Sequence, residues 1–384
     1  MTFACCIAAT AACRPEAAQE NAVAARSVAP LQISGTAFQT AEHRPFQWRG
    51  ITAFRLLDHV ADHQDSRVNE YLAWAARQKL TVVRVLAMAG AFMNLNPEEG
   101  RAALPRLLEL AARHGIYVEV VALAGTRDIP VDLATQVSAI GRIVSEHPNG
   151  LLEVANEPVH PSQAPDVHKA EVLARLASQV PKRVPVSLGS VERGDGFANG
   201  SYITWHVPRD DRFGGWGHVL AIAEGARFLQ RWRKPVISDE PIGAGPKYEP
   251  GRRDDVPARF RAAALLTRLV GLGATFHYEG GLQATIPAGR ELECFNAWNE
   301  AWTLLPRDIE QQGSFRTAGE AGGIVESYDK NAVLGVYERS TNDRGWILSV
   351  GEGDPRLRLA AGWRETRSQV LEGAYLISVT RSTK

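Results

Sequence analysis

Short apolar runs, many of them β-branched, return along this chain at a near-constant interval, and that interval limits the folds open to it. They are Phe46–Phe54, Thr81–Ala87, Ile116–Leu123, Leu151–Ala155, Arg183–Leu188, Tyr202–His206, Pro235–Asp239 and Ala274–Tyr278. Most successive starts lie about 30 to 35 residues apart, the length of one βα unit. Between most of them sits an amphipathic pattern of helical length, over 67–80, 97–114, 131–147, 164–180, 217–232, 256–272 and 290–305. Several of these close on helix stop signals, such as Arg-His-Gly at 113–115 and Gly-Leu-Gly at 271–273. Eight strands alternating with helices predict a closed (β/α)8 TIM barrel. An open doubly wound sheet is the competing architecture, but no glycine-rich phosphate loop follows any of the strands.

One unit departs from the pattern. Residues 189–201 leave no room for a full helix after the fifth strand, so a loop or a single turn is expected there. Upstream, Leu31–Gln39 and Phe46–Arg49, joined through 41–45, read as a hairpin closing the bottom of the barrel. After Pro306 the periodicity changes to alternating runs, Ala332–Glu338, Gly345–Val350 and Ala374–Val379, separated by Gly, Asp and Asn turns. The expected division is a leader over 1–30, a barrel over 31–306 and a small antiparallel β-sandwich-like domain over 307–384.

The leader differs in kind from the rest. Met1–Ala12 is small and apolar, Cys13 follows Thr-Ala-Ala, and 14–30 is rich in Ala, Glu and Gln. It resembles the end of a bacterial lipoprotein signal with Cys13 as the lipidated residue, which implies an exported protein: periplasmic, held at the cell surface or secreted. Cys5 and Cys6 also fall in this leader, leaving Cys294 as the one thiol beyond it, so neither a disulfide framework nor a cysteine metal site is expected. Lys+Arg and Asp+Glu both number 43. That balance gives no reason to expect nucleic acid or an anionic membrane as partner.

Chemistry concentrates in two segments, Leu-Leu-Glu-Val-Ala-Asn-Glu-Pro at 151–158 and Lys-Pro-Val-Ile-Ser-Asp-Glu-Pro at 234–241. Each is an apolar run that must stop at a proline, which delivers Glu157 and Glu240 to the ends of the fourth and seventh strands. Those ends face each other across an eight-stranded ring and open on its C-terminal face. Two carboxylates so placed are what cleavage of a glycosidic bond requires, one to protonate the leaving oxygen and one to attack or to activate water. No cofactor is expected, because both groups are side chains.

Asn156-Glu157-Pro158 on the fourth strand, with Glu240 on the seventh, resembles the clan A retaining glycoside hydrolases, the superfamily of the family-five cellulases and mannanases. Arg44-Pro-Phe-Gln-Trp-Arg-Gly50 also resembles that family's approach to its first strand. The resemblance implies a retaining β-glycosidase acting on a β-glycan or oligosaccharide, with Glu157 as general acid/base and Glu240 as nucleophile. It implies that Asn156 binds the sugar 2-hydroxyl and that Arg84 keeps the nucleophile ionised. His206, beside Trp205, matches the family's strand-six histidine. The tyrosine expected two residues later is Pro208, and Tyr278 is the substitute expected for it. The strand-eight tryptophan is replaced by Phe-His-Tyr-Glu-Gly at 276–280, so His277 and Glu279 either line the sugar pocket or are satisfied core polar groups. These departures leave a rival reading, a carbohydrate-binding barrel without turnover.

Other residues are expected on the loops facing substrate: Phe92, Asn94 and Asn96, His160, and Trp216. Arg209 and Arg212 read either as contacts to a charged sugar or as solvated loop charge. Asp58, His59, Asp62 and His63 lack the third ligand and the glutamate of a zinc helix, so they are expected to rim the cleft and no metal is expected. Trp232, Trp298 and Trp302 fall on predicted helices and read as core. No Gly-x-Ser-x-Gly elbow is present, which argues against a serine esterase.

Overall fold

The computed structural model describes residues 28–382 apart from 91–92, 94, 192–195, 209–211, 241–242 and 245–254. The leader with Cys13, and the loop residues Phe92, Asn94 and Arg209, lie outside the described residues. Each of the eight expected runs contains a strand: β1 (Arg49–Thr52), β2 (Val82–Leu86), β3 (Tyr117–Leu123), β4 (Gly150–Ala155), β5 (Val186–Gly189), β6 (Ile203–Trp205), β7 (Val236–Ser238) and β8 (Gly273–Tyr278). They pair in parallel in the order β5-β4-β3-β2-β1-β8-β7-β6. Beyond β7, Gly243–Ala244 adds a short parallel pairing to the end of β8.

The ring closes differently at its last joint. Between β5 and β6 there is one isolated bridge, Val191 to Trp205, rather than a ladder. The hydroxyls of Ser187 and Thr204 share a hydrogen bond of 2.8 Å across the gap, and the Ser201 amide donates to the Val186 carbonyl at 2.7 Å. The chain reaches β6 through a single 3-10 turn, Gly196–Asn199, as the short spacing requires.

Helices cover the ring. Helix Pro97–Arg113 starts on a capping box in which the Asn96 side chain accepts from the Glu99 amide. Asn96, expected on a loop facing substrate, is the cap of this helix. Helix Pro257–Val270 begins on proline and ends at Gly271, whose φ of +95° supplies the left-handed cap. The helix expected over 217–232 is instead three pieces, Trp216–Ala221, Ile222–Gly225 and Ala226–Trp232. At the second break Gly225 lies against Trp205 and Leu272 so closely that a Cβ would come within 2.7 Å of both.

The bottom of the barrel is plugged as expected, with one refinement. Residues 32–39 form a tight hairpin of their own, Gln32–Ser34 with Ala37–Gln39, and Pro45–Phe46 adds a third strand. Phe38 drops from it between Trp48 and Tyr202, its ring centroid 5.4 Å from each, over Val82, Tyr117, Leu151 and Ile237.

C-terminal to the barrel lies a five-stranded antiparallel sheet in the order 314–317, 335–340, 344–350, 374–381, 363–371. Its two faces alternate in sequence. Tyr337, Leu348 and Leu376 pack with the barrel's core, whereas Val336, Ile347, Ile377 and Val379 pack with Ile324 and Val325 beside the two-stranded ribbon 325–327/358–359. The two outermost strands carry no apolar alternation because both are largely exposed. No helix among the described residues is long and apolar enough to cross a membrane.

Candidate active site

The site is built around one cation. Arg84 is the single charge in β2, Val-Val-Arg-Val-Leu, and it is fully buried inside the ring. A guanidinium without water has to be paired. Its Nε donates to Glu153 Oε2 on β4 at 2.9 Å, Nη1 to Glu240 Oε1 at 3.1 Å and Nη2 to Asn156 Oδ1 at 2.9 Å. Nη2 also lies 3.3 Å from Asp239 Oδ2, and the Phe54 ring sits 5.3 Å from Cζ. One residue thus joins the ends of β2, β4 and β7.

Glu157 follows β4 with φ at +39°, a left-handed conformation immediately before Pro158. Such a backbone costs about 1–3 kcal/mol and persists only where the surroundings enforce it. Gly189, at the end of β5 with φ at +139°, is part of that enforcement. A Cβ there would lie 2.4 Å from the Ala155 carbonyl oxygen and 2.5 Å from the Pro158 ring. Asn156 completes the turn, its amide donating to Glu157 Oε2 at 3.4 Å.

His206, just past β6, stands between the two glutamates. Its Nδ1 is 3.6 Å from Glu157 Oε1; its Nε2 is 3.2 Å from Asp239 Oδ1, 3.7 Å from Glu240 Oε1 and 2.8 Å from Ser190 Oγ. One ligand atom from each of Glu157, His206 and Glu240 lies within 4.8 Å of the other two. From β8, His277 brings Nε2 to 3.9 Å from Glu240 Oε2, and its Nδ1 meets Thr52 Oγ1 at 3.0 Å.

The charges explain one another. Burial alone would discharge His206, but the carboxylates of Asp239 and Glu240 outweigh it and hold the imidazolium well above its ordinary range. Burial would raise Glu157, yet its contact with His206 prevails and leaves it below the usual carboxylate value. Deeper in the ring, burial drives Glu119 well up, and Glu153 up to about 7 against the pull of Arg84. Tyr202 donates its hydroxyl to Glu119 Oε1 at 2.8 Å. With His206 protonated, the trio it forms with the glutamates is an ion-paired cluster.

The structure brings together Glu157, Glu240, Asn156, Arg84, His206 and His277. His160 stands near, bonded to Ser162 Oγ at 2.8 Å and adding slightly to the positive field on Glu157. Others go elsewhere. Trp205 is fully buried against Phe228 and Gly225 on the outside of the ring, since it alternates with Thr204 and His206. Tyr278 alternates with His277 in the same way. Its hydroxyl meets Tyr71 at 3.0 Å and the Thr285 carbonyl, so it cannot stand in for the missing tyrosine. Glu279 opens a one-turn helix beside Glu291. Trp216 packs on Gly373 and Ala258, between the barrel and the C-terminal sheet. Asp58 pairs with Arg55, and His59 Nε2 meets the Gln283 carbonyl at 3.1 Å. Asp239, Glu153, Glu119, Ser190 and Thr52 join the cluster without having been expected. Glu119, Glu153 and Asp239 could have been found, as charges within or at the end of otherwise apolar strands.

No family model matches the sequence, and no curated protein does. Solved structures match in fold. One glycoside hydrolase superposes with a TM-score of 0.61 at 16% identity, over 93% of this chain and 98% of its own. A family 5 glycoside hydrolase from Bacteroides vulgatus gives 0.59 at 15%, over 92% and 94%. A β-glucanase from Saccharophagus degradans, solved with cellotetraose, gives 0.53 at 12%, over 73% and 95%. At these identities the likeness establishes a family 5-like fold, and the first two alignments run through the C-terminal sheet as well as the barrel.

Proposed function

We propose that this protein is a retaining β-glycosidase that hydrolyses a β-glycan or oligosaccharide by double displacement. The observation that carries the reading is the pair Glu157 and Glu240 just past the ends of β4 and β7, with one oxygen of each within 4.8 Å of the other, a bound on their nearest atoms rather than on the carboxyl separation, and Arg84 bound to the second. Retaining pairs stand roughly 5–5.5 Å apart and inverting pairs roughly 6.5–9.5 Å. The β-glucanase with bound cellotetraose, sharing this fold, supports a carbohydrate substrate.

In the first step the Glu240 carboxylate attacks the anomeric carbon while Glu157 gives its proton to the departing glycosidic oxygen. The carbon–oxygen bond to the leaving group breaks as the ester to Glu240 forms. In the second, Glu157, now anionic, takes a proton from water; the hydroxide equivalent displaces Glu240 and the sugar leaves with its configuration retained. Arg84 holds Glu240 as an anion, ready to attack and to depart.

The test uses aryl β-glycosides and β-glucan oligosaccharides with NMR detection of the first-formed anomer. A β product, lost in Glu240→Ala and in Glu157→Ala, is expected; an α product would replace retention with inversion. A binding barrel without turnover is the second reading, and on its side is the approach of His206 Nδ1 to Glu157 Oε1 at 3.6 Å, which holds that carboxyl below its ordinary value. Saturable oligosaccharide binding with no hydrolysis at any pH from about 3 to 8, a range that starts below the ordinary carboxylate value and runs past that of histidine, would decide for it.

A further inference from the structure

We propose that His277, set by Thr52, is a positioning residue for Glu240: its imidazole presents Nε2–H to the carboxylate oxygen Arg84 does not hold. The inference rests on Glu240 being the nucleophile.

The two oxygens of Glu240 are treated differently. Oε1 takes the Nη1 of Arg84 at 3.1 Å and faces His206 Nε2 at 3.7 Å; Oε2 faces His277 Nε2 at 3.9 Å. A neutral imidazole has one donor and one acceptor nitrogen, and what meets one fixes the other. If Thr52 accepted from Nδ1, the His277 lone pair on Nε2 would point at an anion. With the Thr52 hydroxyl donating to Nδ1, the proton lies on Nε2 and the interaction is attractive. Glu240 therefore selects the tautomer and Thr52 supports it.

The ring has little freedom to do otherwise. His277 and Thr52 are buried, and the Phe54 centroid lies 6.1 Å from the imidazole. Phe54 also backs Arg84, so residues ending β1 brace both partners of Glu240. At 3.9 Å the contact is longer than a hydrogen bond, the kind of separation that shortens once substrate displaces water. Among the described residues, Arg84, His206, Glu157 and Asp239 are other charged groups around Glu240, and each approaches from a strand end other than that of His277, Asp239 being its own neighbour in β7's extension.

The experiment follows Glu240 directly. In protein labelled at the glutamate carboxyl carbon, the Glu240 signal, assigned by its loss in Glu240→Gln, is titrated in wild type, Thr52→Val, His277→Phe and His277→Gln. His277→Phe is expected to move Glu240 to higher pH by about one unit, with the amide donor of His277→Gln restoring much of the shift. The acid limb of kcat/KM should move with it, with kcat falling roughly 10- to 100-fold and KM changing far less. Thr52→Val should shift in the same direction and serves if His277→Phe does not fold. An unmoved Glu240 titration in a folded Thr52→Val or His277→Phe overturns the proposal. If wild type proves inactive, or Glu240→Ala leaves hydrolysis intact, the glycosidase reading fails while the titration still decides what His277 does.

Discussion

His206 bears on the protonation of Glu157, one of the two glutamates it separates. It is kept positive by Asp239 and Glu240, and its charge in turn keeps Glu157 below the ordinary carboxylate value. A general acid acts only when protonated, so kcat/KM should decline as pH rises through that lowered value, placing the optimum on the acid side of neutral. His206→Gln removes the cation. Glu157 then rises, and the alkaline limb of kcat/KM should move to higher pH even as the maximal rate drops. A limb that stays put would assign it to another group. The Asn-Glu-Pro motif marked Glu157 in the sequence as the acid/base proposed here, and Arg84 stood out as a lone cation in an apolar strand. Nothing local announced that His206 would touch both glutamates, since β4, β6 and β7 meet only in three dimensions.

At the scale of elements, strand parity decided which expected residues reach the site. Trp205 and His206 are neighbours, as are His277 and Tyr278, and in each pair only the histidine faces inward. The same parity turns Glu119 of β3 and Glu153 of β4 toward Arg84, whose Nε is 3.8 Å from the first and 2.9 Å from the second. That pair has a consequence for stability. Glu153 titrates at about 7 in the fold against 4.5 as an ordinary carboxylate, so the folded state holds the proton longer than the unfolded chain. Its contribution is complete below about 4.5 and is lost as pH rises through 7. The melting temperature should fall over that window, and Glu153→Gln should flatten the fall; equal slopes would show that Glu153 is not the group responsible. The eight barrel strands were legible because burial makes them continuous apolar runs. Strands 314–317 and 363–371 were not, because exposed edges need no such pattern.

In the whole molecule, two buried arginines tie the segments where the barrel meets the C-terminal sheet, Arg268 within the barrel and Arg339 across the joint. Arg268 donates to the carbonyls of Trp302, Leu305 and Pro306, and Arg339 to those of Leu269, Val270, Glu310 and Gly313. Arg339 in this way caps helix Pro257–Val270 from the neighbouring sheet, at a desolvation cost that pulls its guanidinium down to about 10. Arg339→Met keeps the volume and strands four carbonyls. It should lower unfolding free energy by about 3 kcal/mol in denaturant titration. A loss near zero would mean water reaches those carbonyls. Trp216 belongs to this joint too, and its place there could not be read from a loop sequence.

The joint between β5 and β6 gives the ring a further property. Main-chain bonding there is sparse, and the stitching falls to hydroxyls: Ser187 to Thr204, and one step higher Ser190 to His206. Among the described residues, the upper stitch of this joint is therefore also a partner of the imidazolium between the two glutamates. Widening the mouth at this point would part Ser190 from His206, whose other ring nitrogen faces Glu157. A substrate that spreads the rim would thereby touch the surroundings of the group proposed here as its acid.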